Sequence, residues 1–260
     1  MRPYTFLDTN TMDWEQGEQP GLFTKMLSHD PENGARTAFQ CIDPKRGYKP
    51  PPSAHYHHMD EELLVIKGTF TFDGKNWLGP KSYCFHPAET VHGFRSRLDD
   101  EAWFISRCSK ELDFCLHPDT EADTPYPLNG KMDPRGVTVL ADPEVGEWVD
   151  VKDAAGNVTL KRRLLSKHPE TGEGSMLVRF LPGWESPNGD HFHTVYEELF
   201  VLEGAMQTDD GKTLGAGAYL FKPPLTVQSR PKSATGALAY INFGGNLDFL
   251  PAARLNEFKN

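Results

Sequence analysis

Apolar residues in this chain fall into short runs broken by turn-forming residues. In the first half the runs read TAFQCI (37–42), ELLVIKGTFTF (62–72), SYCFHP (82–87) and AWFISRC (102–108). In the second half they read SMLVRFL (175–181), ELFVLEGAMQ (198–207), AYLFKP (218–223) and LAYINF (238–243). DGK, DDGK and LGP turns lie between them, and a 3.6-residue helical period is weak throughout. Short β-branched and aromatic runs punctuated in this way predict an all-β sandwich or barrel with few, peripheral helices.

The pattern occurs twice. A shift of 136 positions lays residues 55–92 on 191–228 without a gap, and 15 of the 38 pairs are identical, among them His55/His191, His57/His193, Glu61/Glu197, Gly68/Gly204, Tyr83/Tyr219 and Pro87/Pro223. LSHDPENG (27–34) answers LSKHPETG (165–172), and LDF at 112–114 answers LDF at 247–249. Such self-similarity marks a duplicated unit. The segment HPDTEADTPYPLNGKMDPRG (117–136) is rich in Pro, Gly and acids and reads as a surface linker, which puts the boundary near residue 125 and predicts domains at 1–125 and 126–260.

Composition narrows the function classes. Net charge is -10 with no basic block, which disfavours nucleic acid as a partner. The first residues, MRPYTFLDTNTMDWEQ, lack a signal-peptide core, and no apolar stretch approaches the roughly 20 residues of a membrane span, so a soluble cytoplasmic protein without a membrane partner is expected. Cys41, Cys84, Cys108 and Cys115 form no CxxC pair and read as reduced, mostly buried thiols.

The polar residues that precede two apolar strands carry the candidate chemistry. Residues i and i+2 of a strand share a face, so His55 and His57 present paired imidazoles, Glu61 has the same parity, and His58 points away. A neighbouring strand that brings up His92 completes three nitrogens and a carboxylate, a ligand mix suited to a divalent first-row metal with positions left open. His191, His193 and Glu197 repeat the set, with Gln228 in place of His92.

These residues resemble the two motifs of the cupin superfamily: His55-x-His57-x3-Glu61-x6-Gly68 with Gly79 through Pro87 to His92, then His191-x-His193-x3-Glu197-x6-Gly204 with Gly215 through Pro223 to position 228. The resemblance implies two tandem jelly-roll barrels, a bicupin that forms a homodimer as cupins often do, with Fe(II) or Mn(II), or else Zn(II) or Ni(II), in each barrel or at least in the first. The pattern departs at Gly47 and Gly183, each eight positions before the first histidine rather than six, and at Glu89 and Leu225, which replace a motif glycine. Gln228 has two readings, a coordinating carbonyl or a group that orients bound water or substrate.

Tyr83 and Tyr219 are candidates for lining a substrate pocket, with core packing as the alternative. Arg95 and Arg230 are candidates for steering an anionic substrate, with solvated loop charges as the alternative. Glu62 and Glu198, of opposite parity to the ligands, are expected to face solvent. The expected function is a metal-dependent enzyme acting on a small organic molecule, in the first instance a non-haem Fe(II) dioxygenase. Redox-neutral Mn, Zn or Ni chemistry (hydrolysis, decarboxylation, elimination or isomerisation) is a second reading, and a non-enzymatic ligand-binding bicupin a third.

Overall fold

Strand Glu61–Lys67 is the spine of the first unit, pairing antiparallel with Tyr83–His86 on one side and Ala102–Cys108 on the other. The computed structural model describes residues 1–143, 145–208 and 211–259; the DDGK turn reaches outside them at Asp209 and Asp210. The main sheet of this unit runs in the order Thr138–Leu140, Tyr83–His86, Glu61–Lys67, Ala102–Cys108, Arg36–Ile42, Leu22–His29 and Glu15–Gln16. Shorter pairs form its other wall: His55–Tyr56 with Cys115–Leu116, Phe70–Thr71 with Arg97–Leu98, and Thr90–Val91 with Tyr126–Pro127. The second unit repeats the plan around Glu197–Gln207, which lies between Ala218–Lys222 and Ala237–Phe243. Among the described residues the only helices are three short 3-10 turns, so the all-β expectation holds.

Each barrel interior is filled by the face of its spine strand that also carries the motif glutamate. Leu63 and Val65 pack with Ile42, Phe70, Leu78 and Phe104 in the first unit, and Leu199 and Val201 pack with Val178, Leu220 and Ile241 in the second. Burying side chains of this size contributes roughly 1.5–3 kcal/mol each. The opposite face is buried as well, since Leu64, Tyr83 and Phe85 have no exposed surface. That is why the strands read as continuous apolar runs rather than alternating ones. The paired glycines are required by close approach. Gly68 has φ +72 and Gly204 φ +70, and a Cβ would lie 2.0 Å from the Glu101 carbonyl oxygen or 2.2 Å from that of Gly236.

The junction between the units falls at Val145/Gly146, not near residue 125. Tyr126–Pro127 pairs with Thr90–Val91, and Thr138–Leu140 extends the first unit's sheet beside Tyr83–His86. Arg135, taken for a linker residue, is buried against Asp60. The second unit in turn includes Arg2–Thr11, whose strand Thr5–Asp8 pairs with Ala218–Lys222. The two edge strands are equivalent: Thr138 and Leu140 face Phe85 and Tyr83, while Thr5 and Leu7 face Phe221 and Tyr219. An arginine three residues before each covers the matching ring, Arg135 at 4.2 Å from Phe85 and Arg2 at 4.3 Å from Phe221. Edge hydrogen bonds decide which sheet a segment joins, and composition does not record them. Among the described residues no helix is long and apolar enough to cross a membrane.

Candidate metal centre

In the first barrel His55 and His92 exchange backbone hydrogen bonds of 2.9 Å, which sets their rings 4.3 Å apart between centroids. His57 follows on the same face of its strand, 5.3 Å from the His55 ring and 5.4 Å from that of His92. Glu61, at the start of the spine strand, brings Oε2 to 3.6 Å from His92 Nε2 and Oε1 to 4.0 Å from His57 Nε2. His57 donates its Nδ1 proton to the carbonyl of Asp113, and His92 donates its own to the carbonyl of Thr90 at 2.8 Å. A carbonyl partner fixes the tautomer and turns the unprotonated Nε2 inward. Those two Nε2 atoms and His55 Nδ1 are buried without a hydrogen-bond partner. Buried polar nitrogens left in that state are costly unless something binds them.

The motif glycines replaced by Glu89 and Leu225 keep their backbone role. Both residues adopt left-handed φ, +58 and +65, and their N–H groups donate to the carbonyls of His57 (2.7 Å) and His193 (2.8 Å). The turn therefore ties the second motif to the middle histidine of the first, at the cost of a conformation that side chains rarely adopt.

His86, which the parity argument passed over, completes the first site. It lies opposite Glu61 in the strand register, stacks on His92 at 3.9 Å, and donates from Nδ1 to Glu61 Oε2 at 3.4 Å. Burial, reinforced by His92, pushes the His86 imidazole down to about 4 and that of His55 to about 2, so both are neutral at pH 7. Burial would raise Glu61, but the imidazoles of His86, His92 and His57 beside it outweigh that and hold the carboxyl well below its usual range. The neutral imidazoles of His55 and His86, the partnerless Nε2 atoms of His57 and His92 and the Glu61 carboxylate form a set of nitrogen and oxygen donors. A divalent cation fits that set.

The second barrel solves the same charge problem differently. The 136-residue register places Lys222 where the first barrel has His86. Lys222 Nζ lies 3.0 Å from Glu197 Oε2 and also donates to Gln228 Oε1, while Gln228 Nε2 donates to Glu197 Oε2 at 3.0 Å. Burial would raise Glu197, yet the charges of Lys222 and His193 with hydrogen bonds from Lys222 and Gln228 bring it down to about 2. An ammonium therefore stands beside the carboxylate among the residues expected to hold a second ion, His191, His193, Glu197 and Gln228. Both ends of the Gln228 amide are engaged, its oxygen by Lys222 and its nitrogen by Glu197. Among the described residues, groups of three or more His/Cys/Asp/Glu donors within 4.8 Å of one another occur only in the first unit.

A cavity of about 180 Å³ opens onto the first site, with His55, His57 and Glu61 at its floor. Its walls are mainly apolar, including Phe70, Phe72, Phe104 and Phe114; Gln40, Thr71 and Ser106 add polar groups, and Arg97 and Pro51 also line it. Tyr48 lines it too, and burial with the charge of Glu61 pushes its phenol up to about 12, so the hydroxyl stays protonated.

Tyr83 and Arg95 do not line this cavity. Tyr83 and Tyr219 sit on the opposite sheet face, with hydroxyls donating to Glu62 (2.9 Å) and Glu198 (2.5 Å). Those glutamates are buried, not solvent-facing, and pair with Arg107 at 3.0 Å and Arg2 at 3.4 Å. Arg95 is an exposed partner of Asp123. Arg230 occupies a left-handed turn position just after the short strand Gln228–Ser229 of the second barrel. His86, Lys222 and Arg97 were legible in principle. The first two sit at matching positions between a repeated Phe and Pro, and the strand period gives them the parity of the inner face once Glu61↔His86 pairing is known.

Comparisons with known proteins agree with this fold. Residues 3–112 match the ChrR cupin-like domain family, and residues 138–257 match a domain of unknown function, DUF4437. Curated proteins yield no sequence match. Among solved structures, a candidate dioxygenase from Nostoc punctiforme is similar at TM-score 0.70 and 22% identity, covering 92% of this chain and 82% of that one. Salicylate 1,2-dioxygenase from Pseudoaminobacter salicylatoxidans follows the same fold at TM-score 0.59 and 12% identity, over 93% and 82% of the two chains. Oxalate decarboxylase from Bacillus subtilis does so at 0.55 and 11%, over 95% and 79%. The duplicated motifs, the paired jelly rolls and these likenesses together identify the fold as that of a bicupin, two cupin-like barrels in one chain.

Proposed function

We propose that this bicupin is a metal-dependent oxygenase of the dioxygenase type, with one divalent ion, Fe(II) in its active form, held in the first barrel by His55, His57, Glu61 and His92. The observation that carries this reading is the set of three buried imidazole nitrogens without partners around an ionised Glu61. When bound, Fe(II) supplies electron density to dioxygen and Lewis acidity to a chelating substrate. The protein's own residues do the rest. His86 holds the Glu61 carboxylate in place, the Asp113 and Thr90 carbonyls keep His57 and His92 in their ligand tautomers, and the phenylalanine walls exclude water. The protonated Tyr48 hydroxyl is a donor available to substrate oxygen, and Arg97 attracts an anionic group to the cavity.

A volume of about 180 Å³ suits a substrate of few heavy atoms, such as a small hydroxy-, keto- or aromatic acid. The similar structures include a dioxygenase, a candidate dioxygenase and oxalate decarboxylases, which supports a metal-dependent enzyme of one of these two kinds. The test is oxygen uptake by Fe(II)-loaded protein across a panel of such acids. Uptake with one or more of them, lost in His57→Ala, is expected. No uptake, or turnover that persists without oxygen, would replace the proposal with redox-neutral Lewis-acid chemistry.

A further inference from the structure

Behind the ligand strand of the first barrel, on its solvent side, three different donors meet: His58 Nδ1, Asp113 Oδ2 and Cys115 Sγ. Cys115 Sγ lies 3.9 Å from His58 Nδ1 and 3.6 Å from Asp113 Oδ2, and Asp113 Oδ2 is in direct contact with His58 Nδ1. The three atoms thus lie within 4.8 Å of one another. Ligand atoms around a tetrahedral zinc, at bond lengths of about 2.0–2.3 Å, stand roughly 3.3–3.6 Å apart, so small rotations bring this trio to that geometry.

The duplication supplies an internal control. In the second barrel Asp248 occupies the place of Asp113. Its carbonyl likewise accepts from the middle histidine, His193, and its Oδ1 accepts from the backbone of Thr194 at 2.9 Å, as Asp113 Oδ1 does from that of His58 at 2.9 Å. There, however, Thr194 Oγ1 donates to Asp248 Oδ2 at 2.7 Å, and Leu250 stands where Cys115 would be. The turn needs only an aspartate and a hydroxyl to hold together. The first barrel alone replaces Thr with His and Leu with Cys, which adds a nitrogen and a sulfur donor without being required by the fold.

We infer that His58, Asp113 and Cys115 form a second, solvent-facing metal site for a borderline divalent ion such as Zn(II), distinct from the barrel centre. A thiolate, an imidazole and a carboxylate are zinc ligands, and the exposed side leaves the fourth position to water. Binding releases the Cys115 thiol proton to solvent and moves the His58 proton from Nδ1 to the outer Nε2, so the cluster changes from neutral thiol to thiolate as the ion enters. The site shares its segment with the barrel centre: the Asp113 carbonyl holds His57, and Phe114 stacks on His55 at 4.3 Å.

Titration with Co(II) tests the assignment, because a thiolate ligand gives a near-ultraviolet charge-transfer band that the cysteine-free barrel centre does not. The wild type and Glu61→Gln should both show the band, and added Zn(II) should remove it. Cys115→Ser should lack it, as should His58→Thr/Cys115→Leu, which grafts the second barrel's own residues and so keeps the turn intact; metal stoichiometry should fall by one per chain in both. Absence of the band from the wild type, or its persistence in either Cys115 variant, would overturn the site.

Discussion

Lys222 Nζ sits 3.0 Å from Glu197 Oε2 in the second barrel, at the position His86 occupies beside Glu61 in the first. The two donors do the same geometric job with different charge. His86 is neutral and leaves the negative charge of Glu61 for a metal, whereas the ammonium of Lys222 takes up that of Glu197. One side chain thereby separates a barrel suited to an ion from one that carries its own cation.

Metal content should follow that side chain. With Mn(II), which favours nitrogen and oxygen donors over thiolate, the wild type should bind one ion per chain by electron paramagnetic resonance. Lys222→His should bind two. A wild type that binds two would refute the charge argument.

The reciprocal exchange should remove the first site. His86→Lys is expected to abolish Mn(II) binding, since the new ammonium would face Glu61. His86→Ala, which only frees the carboxylate to turn, should weaken binding roughly 10–100-fold. Isothermal titration would report both, and equal effects would mean that orientation rather than charge governs the site.

Acid stability should reveal the Glu197–Lys222 pair. The folded carboxyl titrates at about 2 against an ordinary 4.5, so the unfolded chain binds the proton more readily between these values. The stabilisation is therefore fully present above about pH 4.5 and is lost as pH falls towards 2, amounting to on the order of 3 kcal/mol. Unfolding free energies of the wild type and Glu197→Gln should accordingly converge across that interval. A constant gap would show that the carboxyl is not depressed.

The buried pair on the outer sheet face should matter to stability and not to the metal. Arg107→Ala leaves Glu62 ionised without its guanidinium partner and should cost about 3–5 kcal/mol. Tyr83→Phe removes one hydroxyl and should cost about 1–3 kcal/mol, with Mn(II) affinity unchanged. An altered affinity in Tyr83→Phe would return Tyr83 to the site.

Much of this protein was readable from local pattern. Strand identity, the duplication, and the shared face of His55, His57 and Glu61 follow from short apolar runs and a two-residue strand period, while the approach of His92 needed the pairing with His55. Those signals are repeated and in register, and they survive without knowledge of partners. Tyr83, Tyr219, Glu62 and Glu198 were misplaced because parity gives the face of a strand but not what covers that face, and here Arg107 and Arg2 bury it.

What the sequence by itself determined is the double jelly-roll plan and a pair of ligand motifs, because periodicity and spacing are properties of the backbone. Only the tertiary structure decided that Thr5–Asp8 and Thr138–Leu140 each complete the unit formed by the other repeat, that His86 and Lys222 stand beside the two glutamates, and that Cys115 meets His58. Those relations join residues distant along the chain through sheet register and charge, and neither acts until the strands are side by side.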